Sequence, residues 1–277
     1  MTARRNFETF ARLGYAARGA VYFLVGMLAL FSGFAGGGEP SPKGALASLL
    51  GAPFGKILLA LIAFGLAGFV LWWLAQAIAN ADRRSPDGKG YLIRAGELVS
   101  GIAYGSLAFT AAQLAVGSGG ADGGNKQVGL VGWVMTLPFG NILTGAIGLT
   151  IIGVGLGQIY RGFSGKFENR LSLPPAREKV LKPIGTYGLS AHGLVFAIIG
   201  GFLLYAAFTV DPKKVGSVPE ALDWVRGLPL GGVLYVVVAI GLLAYAAYGV
   251  IQAVYGKVQA PTAGGIRRHI LAERSPP

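Results

Sequence analysis

Hydrophobic residues fill six long segments of the chain, which begin near Leu13, Gly55, Leu92, Pro138, Pro183 and Pro229. Each segment holds about twenty mainly apolar residues, the length that an α-helix needs to cross a ~30 Å hydrocarbon core. The sequence lacks the short alternating segments of a membrane-spanning barrel. The pattern therefore predicts an all-α membrane protein with six transmembrane helices.

One motif in the first segment returns twice along the chain. It is read as LGYAARGAVYFLVGMLAL from Leu13, and it recurs from Ala95 and from Tyr187. The copies place four sets of residues at equivalent positions: Gly14, Gly96 and Gly188; Arg18, Ser100 and His192; Gly19, Gly101 and Gly193; and Tyr22, Tyr104 and Phe196. Because small residues let helix backbones approach closely in lipid, we expect these six glycines to lie at helix contacts.

A second pattern follows each copy of the motif. A short stretch with apolar residues at i,i+3 spacing predicts an amphipathic helix on the extracytoplasmic surface. A proline with a glycine two residues later comes next, in the pairs Pro53 and Gly55, Pro138 and Gly140, and Pro229 and Gly231. Because proline is tolerated in the first turn of a helix, each pair is interpreted as the entry into the second transmembrane helix of a unit.

The chain therefore divides into three two-helix units with one shared orientation, over residues 12–80, 94–162 and 186–256. Parallel repeats of this kind are related by an axis along the membrane normal, so we expect a pseudo-threefold arrangement within a single membrane domain. Residues 257–277 contain several prolines and glycines and are expected to form a mobile cytoplasmic tail.

Composition supports a membrane protein over a soluble domain. Hydrophobic residues make up 53% of the chain and charged residues only 13%, and the mean hydropathy is +0.58. The chain contains no cysteine, which excludes disulfides, thiolate metal sites and cysteine nucleophiles.

The distribution of positive charge predicts the topology. Lysine and arginine number 24 against 12 aspartates and glutamates, and they concentrate in the N-terminal segment, the second and fourth loops and the tail. By the positive-inside rule both termini are cytoplasmic. Since the charges are not gathered on one soluble face, nucleic acid is not an expected partner. The expected partners are a bilayer with an anionic cytoplasmic leaflet and, beyond it, another membrane protein or a second copy of the chain.

The repeated Gly-x-x-x-(Arg/Ser/His)-Gly motif and the Pro-Phe-Gly entry resemble a bacterial membrane family known as domain of unknown function 1206. The segments ARLGYAARGAVY and APFGKILL carry the similarity, which extends from about Arg12 to Gly256. The middle unit departs from the others, with Glu97 and Ser100 where the first unit has Tyr15 and Arg18. The resemblance implies a multi-pass protein of the bacterial inner membrane, with no assigned activity and no catalytic residues.

Polar residues inside the predicted helices form the candidate site. If the first helices of the units face one another, Arg18, Glu97, Ser100 and His192 come to similar depth as an intramembrane polar cluster. Arg18 either snorkels to the cytoplasmic headgroups or pairs with Glu97, since a charge inside a bundle usually has a partner. His192 is either a hydrogen-bonded packing residue or a proton-relay or ligand-binding residue.

The sequence contains no zinc-protease motif, nucleophile elbow or phosphate loop. We therefore expect no enzymatic activity, no cofactor and no metal site. Two functions remain open. The first is a structural protein, or one that binds a partner or lipid, because the loops are short and the helices are rich in small residues. The second is a transporter or channel for a small solute or ion, proton coupling included, that uses the polar cluster.

Overall fold

The structure, a computed structural model, describes residues 2–35, 40–79, 87–118 and 131–257 of the 277-residue chain. Its helices are α1 (Thr2–Ala35), α2 (Pro42–Ser48), α3 (Gly55–Ala79), α4 (Gly88–Val116), α5 (131–136), α6 (Gly140–Phe163), α7 (Pro175–Thr209), α8 (Val218–Arg226) and α9 (Gly231–Tyr255). The predicted tail lies outside the described residues except for Lys257.

Six of these helices, α1, α3, α4, α6, α7 and α9, are long and apolar enough to cross a membrane. The prediction of an all-α multi-pass membrane protein is therefore confirmed. The fifth long helix starts earlier than its apolar segment, at Pro175, so that Pro183 lies inside it. The added turns are polar, and an i,i+4 ion pair at 3.2 Å between Lys182 and Glu178 supports them.

The short helices pack as their i,i+3 pattern predicts. Leu46 of α2 and Leu49 just after it are buried, as are Leu222 and Val225 of α8. Ser41 caps α2, since its hydroxyl accepts a 2.9 Å hydrogen bond from the amide of Gly44. Helices α2 and α8 therefore turn their apolar sides to the bundle at the end opposite the start of α1, while Val131 and Val134 of α5 are only half-buried.

The Pro-x-Gly pairs enter the second helices differently from the prediction. Helices α3, α6 and α9 begin at the glycine, so each proline lies ahead of the first turn. The residues between, Phe54, Phe139 and Leu230, adopt left-handed φ angles of 58°, 61° and 60°. This turn folds the helix start back against the preceding short helix: at Gly140 an added Cβ would lie 2.7 Å from Met135 Cα. Glycine is thus required by close backbone approach.

The long helices pack side by side in the order α4, α3, α1, α9, α7, α6. Within units, α1 packs on α3 and α7 packs on α9. Between units, the second helix of one packs on the first helix of another: α3 on α4, α6 on α7, and α9 on α1. The contacts between units therefore follow one cyclic rule, while the pseudo-threefold axis itself stays a prediction.

Each contact between units is tied by a hydrogen bond at the end of the bundle where α1 begins. The donors occupy one repeat position and the accepting carbonyls occupy another. The pairs are Arg12 to Ala253 at 2.8 Å, Arg94 to Ala77 at 2.7 Å, and Thr186 to Gly162 at 3.0 Å. Each donor thus satisfies a carbonyl near the end of a helix, where intrahelical partners run out.

Candidate functional site

Arg18 lies inside the bundle on α1, with only 6% of its surface exposed. Its Nη2 donates a hydrogen bond to Oε1 of Gln252 on α9. Its Cζ lies 5.4 Å from the ring centroids of Tyr15 and Phe69 and 5.0 Å from that of Tyr245, distances at which rings attract a guanidinium. An amide and aromatic rings therefore surround the charge, and neither snorkelling nor pairing with Glu97 describes this arrangement.

His192 of α7 is buried and hydrogen-bonded through both ring nitrogens. Nδ1 lies 2.8 Å from Oε1 of Gln158 on α6, and Nε2 lies 2.8 Å from the hydroxyl of Tyr22 on α1. Its ring stacks on Tyr245 with centroids 3.9 Å apart. His192 is therefore a packed residue with both ring nitrogens hydrogen-bonded, and a proton-relay or ligand-binding role stays a prediction.

The structure brings two of the four predicted cluster residues together. Arg18 and His192 both contact the ring of Tyr245, which joins them through α9. Ser100 instead donates to the carbonyl of Gly96 in its own helix at 2.9 Å. Glu97 is buried on α4, which packs against α3. The observed site is therefore a cluster of aromatic and amide side chains on α1, α3, α6, α7 and α9, and Tyr104 of α4 packs on its edge with its ring centroid 4.8 Å from that of Phe69.

Three members of this cluster, Gln158, Tyr245 and Gln252, were missed by the sequence analysis. Continuing the repeat register from the Pro-x-Gly pairs places Phe69, Val154 and Tyr245 at one position, and Gln76, Arg161 and Gln252 at another. A polar residue recurring at one position of an apolar helix is the signal that could have identified Gln252.

Five of the six motif glycines lie at helix contacts. An added Cβ would lie 2.7 Å from Phe69 Cα at Gly14, 2.6 Å from Tyr245 Cα at Gly188, 2.9 Å from the Ala246 carbonyl at Gly19, 2.5 Å from the Gly155 carbonyl at Gly193, and 3.5 Å from Trp73 Cβ at Gly101. Gly96 differs: an added Cβ would meet no atom within 4 Å among the described residues. Among the described residues the expectation of a contact at Gly96 is therefore wrong, since α4 and α6 form no packed interface there.

In the described part of the middle unit the two transmembrane helices, α4 and α6, do not pack on each other as the helix pairs of the other two units do. In the first unit Gly14 packs on Phe69, and in the third Gly188 packs on Tyr245, but Gly96 and Val154 do not meet. Val154 is 39% exposed, against 0% for Phe69 and 5% for Tyr245. Over the described residues α4 and α6 form no packed interface. We name the uncovered faces of α4 and α6 that carry Gly96, Gly153, Val154 and Gly157 the middle-unit opening.

Comparison with known proteins identifies the repeat. The family described as Domain of Unknown Function (DUF1206) matches residues 13–80, 95–165 and 187–256. The chain is also similar to the uncharacterized protein YxxB of Bacillus subtilis (strain 168), with 31% identity over 251 residues that cover 90% of each chain. No solved structure matches the chain significantly.

Proposed function

The chain belongs to the DUF1206 family, and on that premise we propose that it is a bacterial inner-membrane protein that binds an anionic phospholipid in the middle-unit opening. In this proposal the protein is a lipid-binding and structural component of the membrane, and both termini are cytoplasmic. The short loops and the dense packing of the other two units support such a role over catalysis.

The observation that carries the proposal is the exposure of the opening at membrane depth. Val154 is 39% exposed although the equivalent residues of the other units are in the core. Added Cβ atoms at Gly153 and Gly157 would meet no described atom within 4 Å. A gap between apolar helices within the hydrocarbon region is filled by acyl chains, because water has no favourable partners there.

Positive charge at one end of the opening favours an anionic headgroup. Arg161 lies in the last turn of α6, and Lys166 follows at the surface, where its Nζ donates to the hydroxyl of Tyr160 at 3.0 Å. This is the end at which the chain termini lie. A lysine or arginine near an anionic leaflet contributes about 1 kcal/mol to membrane association. The same charge bias supports cytoplasmic termini.

The lipid proposal is tested by native mass spectrometry of protein purified in mild detergent. Val154→Trp fills the opening and should remove the bound phospholipid. Leu156→Trp is the matched control, because Leu156 and its first-unit equivalent Leu71 are 56% and 59% exposed on the outer surface. Retention of the same lipid by Val154→Trp, or its equal loss from both variants, would contradict a site in the opening.

The proposed topology is tested separately, and the natural lack of cysteine makes this direct. Single cysteines at Ser41, Ser85, Ser118 and Ser172 are exposed to an impermeant thiol reagent in intact cells. Ser41→Cys and Ser118→Cys should be labelled, while Ser85→Cys and Ser172→Cys should react only after lysis. Labelling of Ser85→Cys in intact cells would overturn cytoplasmic termini.

A second candidate, conduction of a small solute or proton, is supported by one observation. Tyr22, His192 and Gln158 form a buried chain of hydrogen bonds across three helices. Liposomes containing the protein should then carry a proton flux that His192→Leu abolishes. The absence of flux above that of empty liposomes would leave lipid binding as the better account.

A further inference from the structure

The loop between α6 and α7 inserts one aromatic side chain into the bundle. Among residues 164–170, all of which the structure describes, Phe167 alone is buried. Its ring packs on that of Tyr248 of α9, with centroids 5.6 Å apart. Tyr248 lies about two helical turns before the end of α9, so Phe167 reaches well inside the bundle. Loops usually run over the protein surface, so this insertion sets the loop apart from an ordinary connection.

Helix α7 provides a slot for the inserted ring. At Gly185 an added Cβ would lie 2.6 Å from Cε2 of Phe167, a distance too short for any side chain. A larger residue at this position would therefore push the ring outward. Because interiors are closely packed, Gly185 leaves the space that the ring of Phe167 fills.

The loop has a turn at one end and a fixed point at the other. Gly165 follows the end of α6 with a left-handed φ of 68°, which glycine adopts without strain. Leu171 forms an antiparallel bridge with Gly256, whose carbonyl also accepts a 3.3 Å hydrogen bond from Arg12. The loop therefore lies at the end of the bundle where α1 begins, and residues 164–170 are held between these two points.

Behind the inserted ring lies the cluster of Arg18 and His192. The rings of Tyr248 and Tyr245 have centroids 6.3 Å apart, and Tyr245 contacts both Arg18 and His192. Nε of Arg18 has no hydrogen-bond acceptor among the described residues. Because removing a charge from water is costly unless other partners replace its hydration, water that reached Arg18 would stabilise it. The burial of Phe167 and the hydration of Arg18 therefore favour opposite positions of the loop.

Polar contacts at the surface hold the loop from outside. Nζ of Lys182 lies 2.8 Å from Oε2 of Glu168, with side chains that are 37% and 31% exposed. Nζ of Lys257 donates to the carbonyl of Asn169 at 3.2 Å. Exposed ion pairs contribute little to stability and are screened by salt. Because segments with few buried contacts open at a lower cost than the whole protein, this loop can open locally.

From these contacts we infer that residues 164–170 form a hinged plug, which controls the access of water to the Arg18 and His192 cluster. With Phe167 seated in its slot the cluster is dry. With Phe167 withdrawn, water enters from this end of the bundle and reaches Tyr248, Tyr245 and Arg18. This control of water access goes beyond lipid binding and does not depend on the middle-unit opening.

Hydroxyl-radical footprinting in nanodiscs, read by mass spectrometry, measures the access of water to tyrosine side chains. Phe167→Ala removes the plug, so modification of Tyr245 and Tyr248 should rise several-fold. Phe163→Ala is the matched control and should change neither, because Phe163 is 75% exposed. Tyr235, which is buried near the other end of α9, should keep its wild-type modification in both variants. Unchanged modification of Tyr245 and Tyr248 in Phe167→Ala would overturn the plug.

Glu168→Gln tests the opening of the plug with Phe167 retained. It removes the ion pair with Lys182, so modification of Tyr245 and Tyr248 should rise, though less than in Phe167→Ala. Glu178→Gln is the matched control, since Glu178 pairs with the same lysine at 3.2 Å but lies on α7 itself. Equal modification in the two glutamine variants would overturn a plug that this ion pair holds in place.

A reversible cross-link tests closure. Because the chain contains no other cysteine, Glu168→Cys and Lys182→Cys can be joined specifically by a short bifunctional thiol reagent. The unlinked double variant should show raised modification of Tyr245 and Tyr248, and linking should return it to the wild-type level. This pair also decides the case in which Phe167→Ala exposes Tyr235 as well. Modification that linking leaves unchanged would overturn the plug.

The plug and the lipid site fail in different ways. Retention of the phospholipid by Val154→Trp would overturn the lipid site, and the footprinting of Tyr245 would be unaffected. Unchanged footprinting in Phe167→Ala would overturn the plug, and the lipid seen in mass spectra would be unaffected.

Discussion

Arg12 donates a 2.8 Å hydrogen bond to the carbonyl of Ala253, although 241 positions separate the two residues in the chain. The same Nη1 also reaches the carbonyl of Val254 at 2.6 Å. The guanidinium thus caps the last turn of α9, where the helix dipole is negative. The first and last transmembrane helices are joined at this point.

Arg12→Ala should destabilise the protein, because it leaves several carbonyls of α9 without their donor. Hydrogen bonds from charged groups contribute roughly 1.5–3 kcal/mol. Arg177→Ala is the matched control, since Arg177 donates to the hydroxyl of Tyr255 at an exposed site. Exposed interactions of this kind contribute about 0–1 kcal/mol. Thermal unfolding in detergent measures both, and equal losses would contradict a capping role.

Alanine substitutions at the equivalent glycines Gly14, Gly96 and Gly188 should lower stability in the first and third units, where the glycine is packed, but not in the middle unit. Gly14→Ala and Gly188→Ala force side chains against Phe69 and Tyr245, and overpacking of this kind typically costs about 1–3 kcal/mol. Gly96→Ala has room for its methyl group, and alanine favours helix over glycine by about 1 kcal/mol. We expect lower melting temperatures for the first two variants and an unchanged or higher one for Gly96→Ala. A loss at Gly96 equal to the others would mean that α4 is packed there in solution.

The sequence specified the helices and the repeat well because both depend on local pattern. Apolar segment length determines which helices cross the membrane, and the motif from Leu13 identifies the units. The opening could not be predicted, because Gly96 occupies the same repeat position as Gly14 and Gly188. What differs is the partner: Val154 replaces Phe69 and Tyr245 and provides a much smaller packing surface.

The partner of Arg18 illustrates another limit. A buried charge suggests an opposite charge nearby, and Glu97 is the carboxylate whose predicted depth in the membrane is closest to that of Arg18. Depth in the membrane does not determine which side chains meet, and the amide that accepts a hydrogen bond from Arg18 belongs to Gln252 of α9. A neutral amide and three rings replace the expected carboxylate.

The contact between Arg18 and Gln252 predicts a coupled double-mutant cycle. Arg18→Met and Gln252→Leu each remove one side of the hydrogen bond and should each destabilise the protein. The double variant should cost less than the sum of the two, with a coupling of about 0.5–3 kcal/mol. The pair Arg18→Met and Glu97→Gln, measured in the same way, should be additive. Coupling to Glu97 and additivity with Gln252 would reverse the assignment of the partner.

His192 predicts an unusual rescue, because its two neighbours depend on it for hydrogen bonding. His192→Leu keeps an apolar side chain against Tyr245 but removes the ring nitrogens that hydrogen-bond to the Tyr22 hydroxyl and the Gln158 amide, and losing a buried hydrogen-bond partner costs about 1–3 kcal/mol. Tyr22→Phe alone should also destabilise the protein. In the His192→Leu background, however, Tyr22→Phe removes a hydroxyl that has already lost its His192 partner, so the double variant should be at least as stable as His192→Leu. Phe196→Leu is the control, because Phe196 contacts the His192 ring with centroids 4.4 Å apart but forms no hydrogen bond through its ring. It should show no such rescue. Thermal unfolding of six proteins measures these differences: the wild type, the three single variants, and His192→Leu combined with Tyr22→Phe or with Phe196→Leu. If the first double variant is weaker than His192→Leu by the full cost of Tyr22→Phe, the two side chains act independently.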